Sequence, residues 1–165
     1  MGLLQGVKLP TGSFKVENAD GDRAERTLQP GTGTTDALLG AYYRAPGSGH
    51  GAWFAQVLWQ AALGEREDFR PGDRSSVDLG YRHQLNERFA ALLQLNLLYR
   101  DRDSGAQAEP EDSGGRFAFI APGLGYNLGR DTQLYGFVQV PVYQYVNGVQ
   151  LTADWSLVGG LATRF

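Results

Sequence analysis

The chain has no cysteine, one methionine and, among its 15 basic side chains, only two lysines, Lys8 and Lys15. Without cysteine there is no disulfide, no thiolate nucleophile and no cysteine metal site. A formal charge of −3 with no lysine-rich patch or tail removes nucleic acid from the expected partners. No run approaches the roughly 20 apolar residues of a transmembrane helix, so any membrane crossing must be made by strands. The opening Met1-Gly2-Leu3-Leu4-Gln5-Gly6 lacks the charged, apolar, small-residue succession of a signal peptide. An exported protein needs one, so the sequence is expected to lack its natural start, as a trimmed chain or the C-terminal part of a larger barrel.

What is present is glycine, 23 of 165 residues against a usual share of roughly 7%, together with 12% aromatics. Frequent turns between closely spaced strands would use both. Alternation and turn punctuation mark eight strands, roughly 3–9, 36–44, 52–62, 75–83, 88–100, 116–127, 132–145 and 151–165. Long and short connections alternate, except that the last, between 145 and 151, is expected to be short. The expected fold is all-β: an antiparallel up-and-down transmembrane barrel, one domain over 1–165, with about eight strands in this chain. Short inner turns at 45–51, 84–87 and 128–131 place both termini on the periplasmic side of a bacterial outer membrane. The long segments 10–35, 63–74 and 101–115 become outer loops, solvated and rich in acid, proline and glycine.

The strand 88–100 sets the two faces. Phe89, Ala91, Leu93, Leu95, Leu97 and Tyr99 share one side, and Ala90, Leu92, Gln94, Asn96, Leu98 and Arg100 the other. Its length matches the 9 to 11 residues, roughly, that a tilted strand needs to cross hydrocarbon. With the apolar face on lipid, Tyr43, Trp53, Tyr81, Phe89, Tyr126 and Phe165 are expected at an inner aromatic girdle, and Tyr99 and Trp155 toward an outer one. The opposite face then collects Gln56, Gln60, Asp78, Arg82, Gln94, Asn96, Arg100, Tyr135, Phe137, Gln139, Tyr143, Asp154 and Arg164 as candidate lumen residues. Eight strands leave a bore that side chains fill; more strands would leave a passage. Pro122 and Pro141 fall inside expected strands, where each removes a ladder hydrogen bond, so a bulge or an interruption is expected.

Catalysis finds little support in the residues. His50 and His83 lie at the inner end, no Gly-x-Ser-x-Gly elbow occurs, and Glu65-Arg66-Glu67-Asp68 reads as a solvated turn. No segment has the spacing of a calcium loop, so neither metal nor cofactor is expected. A soluble lipocalin-like barrel would have to expose the Phe89, Leu93, Leu95 and Leu97 face to water.

Several short words resemble one family. Gly6-Val7-Lys8-Leu9-Pro10-Thr11-Gly12, Leu28-Gln29-Pro30-Gly31-Thr32-Gly33, Ile120-Ala121-Pro122-Gly123-Leu124 and Val138-Gln139-Val140-Pro141-Val142-Tyr143-Gln144 are similar, in order, to segments of the MetA-pathway of phenol degradation family of outer-membrane proteins. The resemblance runs from Gly6 to Phe165 and makes both prolines family features. It implies an outer-membrane barrel associated with aromatic-compound metabolism and uptake, and supplies no catalytic residues. The expected function is passive passage of small hydrophobic or aromatic solutes. The alternative is a closed structural barrel whose loops contact lipopolysaccharide or another envelope protein. Expected partners are outer-membrane lipid, lipopolysaccharide and, through the C-terminal strand, the barrel-assembly machinery.

Overall fold

The computed structural model describes the chain except for Arg130, Arg164 and Phe165. Eight strands form one antiparallel sheet in sequence order: β1 Gly2–Lys8, β2 Asp36–Pro46, β3 Gly51–Ala62, β4 Arg74–Gln84, β5 Phe89–Arg100, β6 Gly115–Asn127, β7 Thr132–Val146 and β8 Ser156–Thr163. The architecture is all-β and up-and-down, and the sheet curls into a half-barrel. Among the described residues β1 and β8 do not pair with each other, so the sheet has two open edges.

Register assigns the faces, because directly opposed residues point to the same side. Asp78 stands opposite Asn96 and Gln56, and Tyr81 opposite Trp53 and Leu93. The first set lines the concave face and the second the convex. Tight turns hold the inner end. Gly49 at φ 62 takes the left-handed conformation in the turn after β2. Asn86 closes the next turn by accepting the backbone N–H groups of Arg88 and Phe89, both at 2.9 Å.

The two prolines are accommodated differently. Pro122 keeps its place opposite Leu93, but the ladder from β6 to β7 skips from Ile120 to Gly123. Its missing N–H falls on that side, where the sheet forgoes pairing. Pro141 lies at a bulge: Ala118 pairs with Tyr143 while Phe119 pairs with Pro141, so β7 carries one extra residue, Val142. This corrects one expectation. Tyr143 does not line the concave face, because the inserted residue reverses the alternation and turns it, with Tyr145, to the convex side.

The last strand is shorter than 151–165. It begins at Ser156, so Asp154 lies in the preceding loop and not on the concave face, and Trp155 is the exposed residue just before the strand. The connection 147–155 is consequently long, and long loops alternate with short turns throughout. The expectations for Arg164 and Phe165 fall outside the described residues.

The four outer loops are joined laterally. Arg26 in the first loop donates to the carbonyl of Arg66 in the second, Arg70 and Ser104 exchange backbone hydrogen bonds between the second and third, and Asn147 and Gln150 of the fourth donate to the carbonyls of Ser113 and Gly114 in the third. The segments expected to be merely solvated thus form a connected layer over one end of the sheet.

Candidate functional site: the concave face and its mouth

A soluble sheet keeps its solvent-facing side polar; this one turns its most exposed apolar side chains outward, while its hollow mixes amides and charges with the part-covered Leu38, Phe54, Leu58, Leu92, Leu98, Phe117 and Phe119. Setting aside Val142 at the bulge, Tyr42 and Val158 are the only large apolar strand residues with substantial exposure, among those described, that face the hollow. Leu39, Trp53, Val57, Leu93, Leu124, Leu134, Leu157 and others stand exposed on the convex side. Within the strands the fully covered apolar side chains are few and mostly small, Ala61, Ala62, Ala90, Ala121 and Phe137.

Of the expected girdle residues, Tyr43, Trp53, Tyr81, Phe89, Tyr99 and Tyr126 all occupy convex register positions. Two pairs touch: Trp53 with Tyr81 at 4.5 Å between ring centroids, and Phe89 with Tyr126 at 5.0 Å. Tilted contacts at these separations are the favoured geometry of aromatic pairs. Trp59 and Tyr145 belong to the same outer band as Tyr99, where Arg116 lies 5.6 Å from the Tyr99 ring. Sequence reading passed over both, although Trp59 shares the parity of Trp53.

On the concave face the expected residues Gln56, Gln60, Asp78, Arg82, Gln94, Asn96, Arg100, Tyr135, Phe137 and Gln139 all take their places. A chain of amides crosses the middle. Asn96 donates to Asp78 at 2.8 Å, Gln139 donates to Asn96 at 3.3 Å, and Ser156 donates to Gln139 at 3.1 Å. Gln139 and Asn96 are two strands apart, and curling of the sheet brings them within reach. Below this chain, rings lie flat on glycine: a Cβ at Gly123 or Gly160 would overlap Phe137 or Tyr135. Gln94 stands between Gly80 and Ala121, with Arg82 donating to Gln84 at 2.6 Å nearby.

The outer mouth is charged. Asp36, buried at the start of β2, accepts hydrogen bonds from Thr34 at 2.7 Å and Gln60 at 2.6 Å and an ion pair from Lys8 at 2.6 Å. Across the mouth, Asp103 is fully covered and takes both of its oxygens to Arg100 at 2.7 Å, while the Gly72 N–H donates to it at 2.8 Å. Each buried carboxylate is therefore satisfied by several donors, as burial requires. Lys8, Asp36, Arg74 and Asp103 were not singled out from the sequence. Lys8 and Asp36 sit in strands whose alternation already placed them inward, whereas Arg74 fell one residue outside its expected strand and Asp103 lies in a loop.

The first loop is pinned above this mouth by Arg26. Its guanidinium lies between the rings of Phe14 and Phe69, 4.6 and 4.8 Å from their centroids, and donates to the carbonyls of Thr32 and Arg66 at 2.9 and 3.1 Å. Burial holds the group below the usual arginine value, with nearby Glu67 acting in the opposite sense. Glu67 itself is held below the usual glutamate range, chiefly by its hydrogen bond from Lys15. Glu67 and Asp68 have φ of 50 and 53°, a left-handed pair that costs roughly 1 kcal/mol or more per residue outside glycine. The contacts with the first and third loops hold that turn in place.

The fold and this face define an up-and-down antiparallel sheet with an exposed apolar convex side and a mixed, hydrogen-bonded hollow. Compared with known families, curated proteins and solved structures, the chain matches none.

Proposed function

We propose that this chain is an outer-membrane β-barrel protein that passes small hydrophobic or aromatic solutes passively, in the manner of the MetA-pathway of phenol degradation family it resembles. The observation that carries the reading is the exposed apolar convex face. A convex surface of Leu, Val, Ile, Trp and Tyr, continuous over eight strands, far exceeds the few hundred Å² of apolar patch that soluble monomers usually expose. Hydrocarbon is the medium that suits it, and the aromatic pairs Trp53 with Tyr81 and Phe89 with Tyr126 suit its interface.

In this reading Gly2 and Thr163 lie at the periplasmic end with the short turns, and the joined loops face lipopolysaccharide. Unpaired N–H and C=O groups cost several kcal/mol each in hydrocarbon, so the edges of β1 and β8 are paired when the protein is in the membrane. Solutes pass along the concave face, where Tyr135 offers ring surface and Gln94, Asn96 and Gln139 set polarity, while the buried Phe137 ring packs on Gly123. The proposed process is diffusion; His83 stands on the convex face beside the Tyr81 ring, and His50 lies in the turn between β2 and β3. The aromatic solute class rests on the sequence resemblance.

The amide chain from Asp78 to Ser156 favours a second reading, a structural barrel whose interior is knit together by its own side chains. Liposome swelling with neutral solutes separates the two. Insertion is verified first by the faster migration of the unheated protein on a gel. Solute entry into those liposomes supports the channel; tightly sealed liposomes leave the structural barrel.

A further inference from the structure

A cavity of about 320 Å³ lies at the mouth, between the first two outer loops and the outer ends of the first strands. It is at the lower end of the range, roughly 300 to 1,000 Å³, in which small-molecule sites fall. Four cations line it, Lys8, Arg26, Arg74 and Arg100, against one carboxylate, Asp36. Counting Asp103 as Arg100's partner still leaves an excess of positive charge, inside a chain whose formal charge is −3.

The cations differ in how far their donors are used. Lys8 is committed to Asp36 and Thr32, and Arg100 gives Nη2 to both oxygens of Asp103. The Arg74 side chain, exposed at the cavity, makes no hydrogen bond or ion pair among the described residues, although it stands directly opposite Gln60 on one side and Arg100 on the other. Like charges directly opposed across strands repel. Two further donors are orphaned here: the Nε of Arg26, on a side chain only 8% exposed, and the Nε of Arg100, both buried with no partner. Burying the Arg26 and Arg100 donors without acceptors is costly, and an anion drawn in by the exposed Arg74 removes that cost.

The geometry points to an anion subsite at the mouth that takes the carboxylate of a small organic acid, with Arg74 as its principal ligand and the Arg26 and Arg100 guanidiniums beside it. A carboxylate matches the planar fork of arginine with two parallel hydrogen bonds. Pro30, Pro71 and Ala62 on the same wall offer apolar surface to the remainder of such a molecule. The inference deepens the channel reading by naming a solute class, and it rests on that reading only for the step of transport.

The test is binding of benzoate to the full chain folded in detergent micelles, followed by titration calorimetry at low salt, with inorganic phosphate and neutral benzyl alcohol as parallel probes. Saturable benzoate binding is expected, weakened tenfold or more in Arg74→Gln, partly retained in Arg74→Lys and absent for benzyl alcohol. Because Arg74 holds nothing else in place and faces the like charge of Arg100, Arg74→Gln should unfold at or above the temperature of the parent. Binding that survives Arg74→Gln, phosphate binding as tight as benzoate, or no saturable benzoate binding by correctly folded protein overturns the subsite. Liposome swelling with neutral solutes is read separately. Sealed liposomes with intact benzoate binding would end the channel reading and leave the subsite standing.

Discussion

Leu93 and Gln94 are neighbours in the chain and stand on opposite faces of the sheet. Leu93 stands on the convex face opposite Tyr81 and Pro122; Gln94 faces the hollow between Gly80 and Ala121. Among the described residues the convex face is held by the ladder beneath it, by contacts between adjacent side chains and, at its rim, by the Tyr99 hydroxyl donating to Asp101. On the concave side, buried carboxylates and rings laid over glycine tie adjacent strands and loops together, and the bond from Gln139 to Asn96 links two strands that are not neighbours. One face is therefore adapted to a solvent, and the other carries the specific bonds. A substitution should be read by its face before its size.

The largest effect is expected where a concave bond is both buried and charged. Asp103→Ala leaves Arg100 facing a covered site without its partner and frees the Gly72 N–H. Breaking a buried pair this way costs about 3 to 5 kcal/mol, toward the lower end here because Arg100 keeps some exposure. Urea unfolding of the folded protein in lipid vesicles would show it, and a loss under 1 kcal/mol would mean that the third loop is not anchored through this residue.

Next comes the comparison of faces itself. Leu93→Arg in vesicles is expected to cost about 2 to 4 kcal/mol if that position lies near the bilayer midplane, whereas Gln94→Arg should cost less than about 1 kcal/mol. Equal costs would mean that the convex face does not meet hydrocarbon. A smaller loss, about 1 kcal/mol, is expected from Gln139→Leu, which removes the link between Asn96 and Ser156. The measurable sign is a lower unfolding midpoint with the slope unchanged.

The smallest effect concerns the loops. Glu67 has its pKa depressed in the folded state by Lys15, so its contribution is full above the usual glutamate value and is lost as pH falls through the depressed one. Amide exchange in the first loop should quicken over that acid window, and Glu67→Gln should abolish the change. Because both side chains are substantially exposed, salt should weaken the effect as well.

Much of this was legible in the chain. A period of two in Phe89 to Arg100 placed every residue of that strand on its observed face, since pleating leaves no other choice once the ladder forms. Tyr143 was misplaced by the same logic, because a single inserted residue at Val142 reverses the parity and nothing in Val140-Pro141-Val142-Tyr143 says on which side of the proline the bulge lies. Asp154 and Trp155 were assigned to a strand because alternation continues through them, while the structure leaves 147–155 to pair with the third loop.

The sequence by itself determined the number of strands, their antiparallel order and, within each uninterrupted strand, which side chains share a face. Each follows from local alternation and from the turns between the strands. Only the tertiary structure decided that Gln139 reaches Asn96 over an intervening strand, that the loops lock through Arg26 and Asp103, and that Arg74 is left with free donors at a basic mouth. Those contacts join residues far apart in the chain, and they depend on how tightly the sheet curls, a quantity that no local pattern encodes.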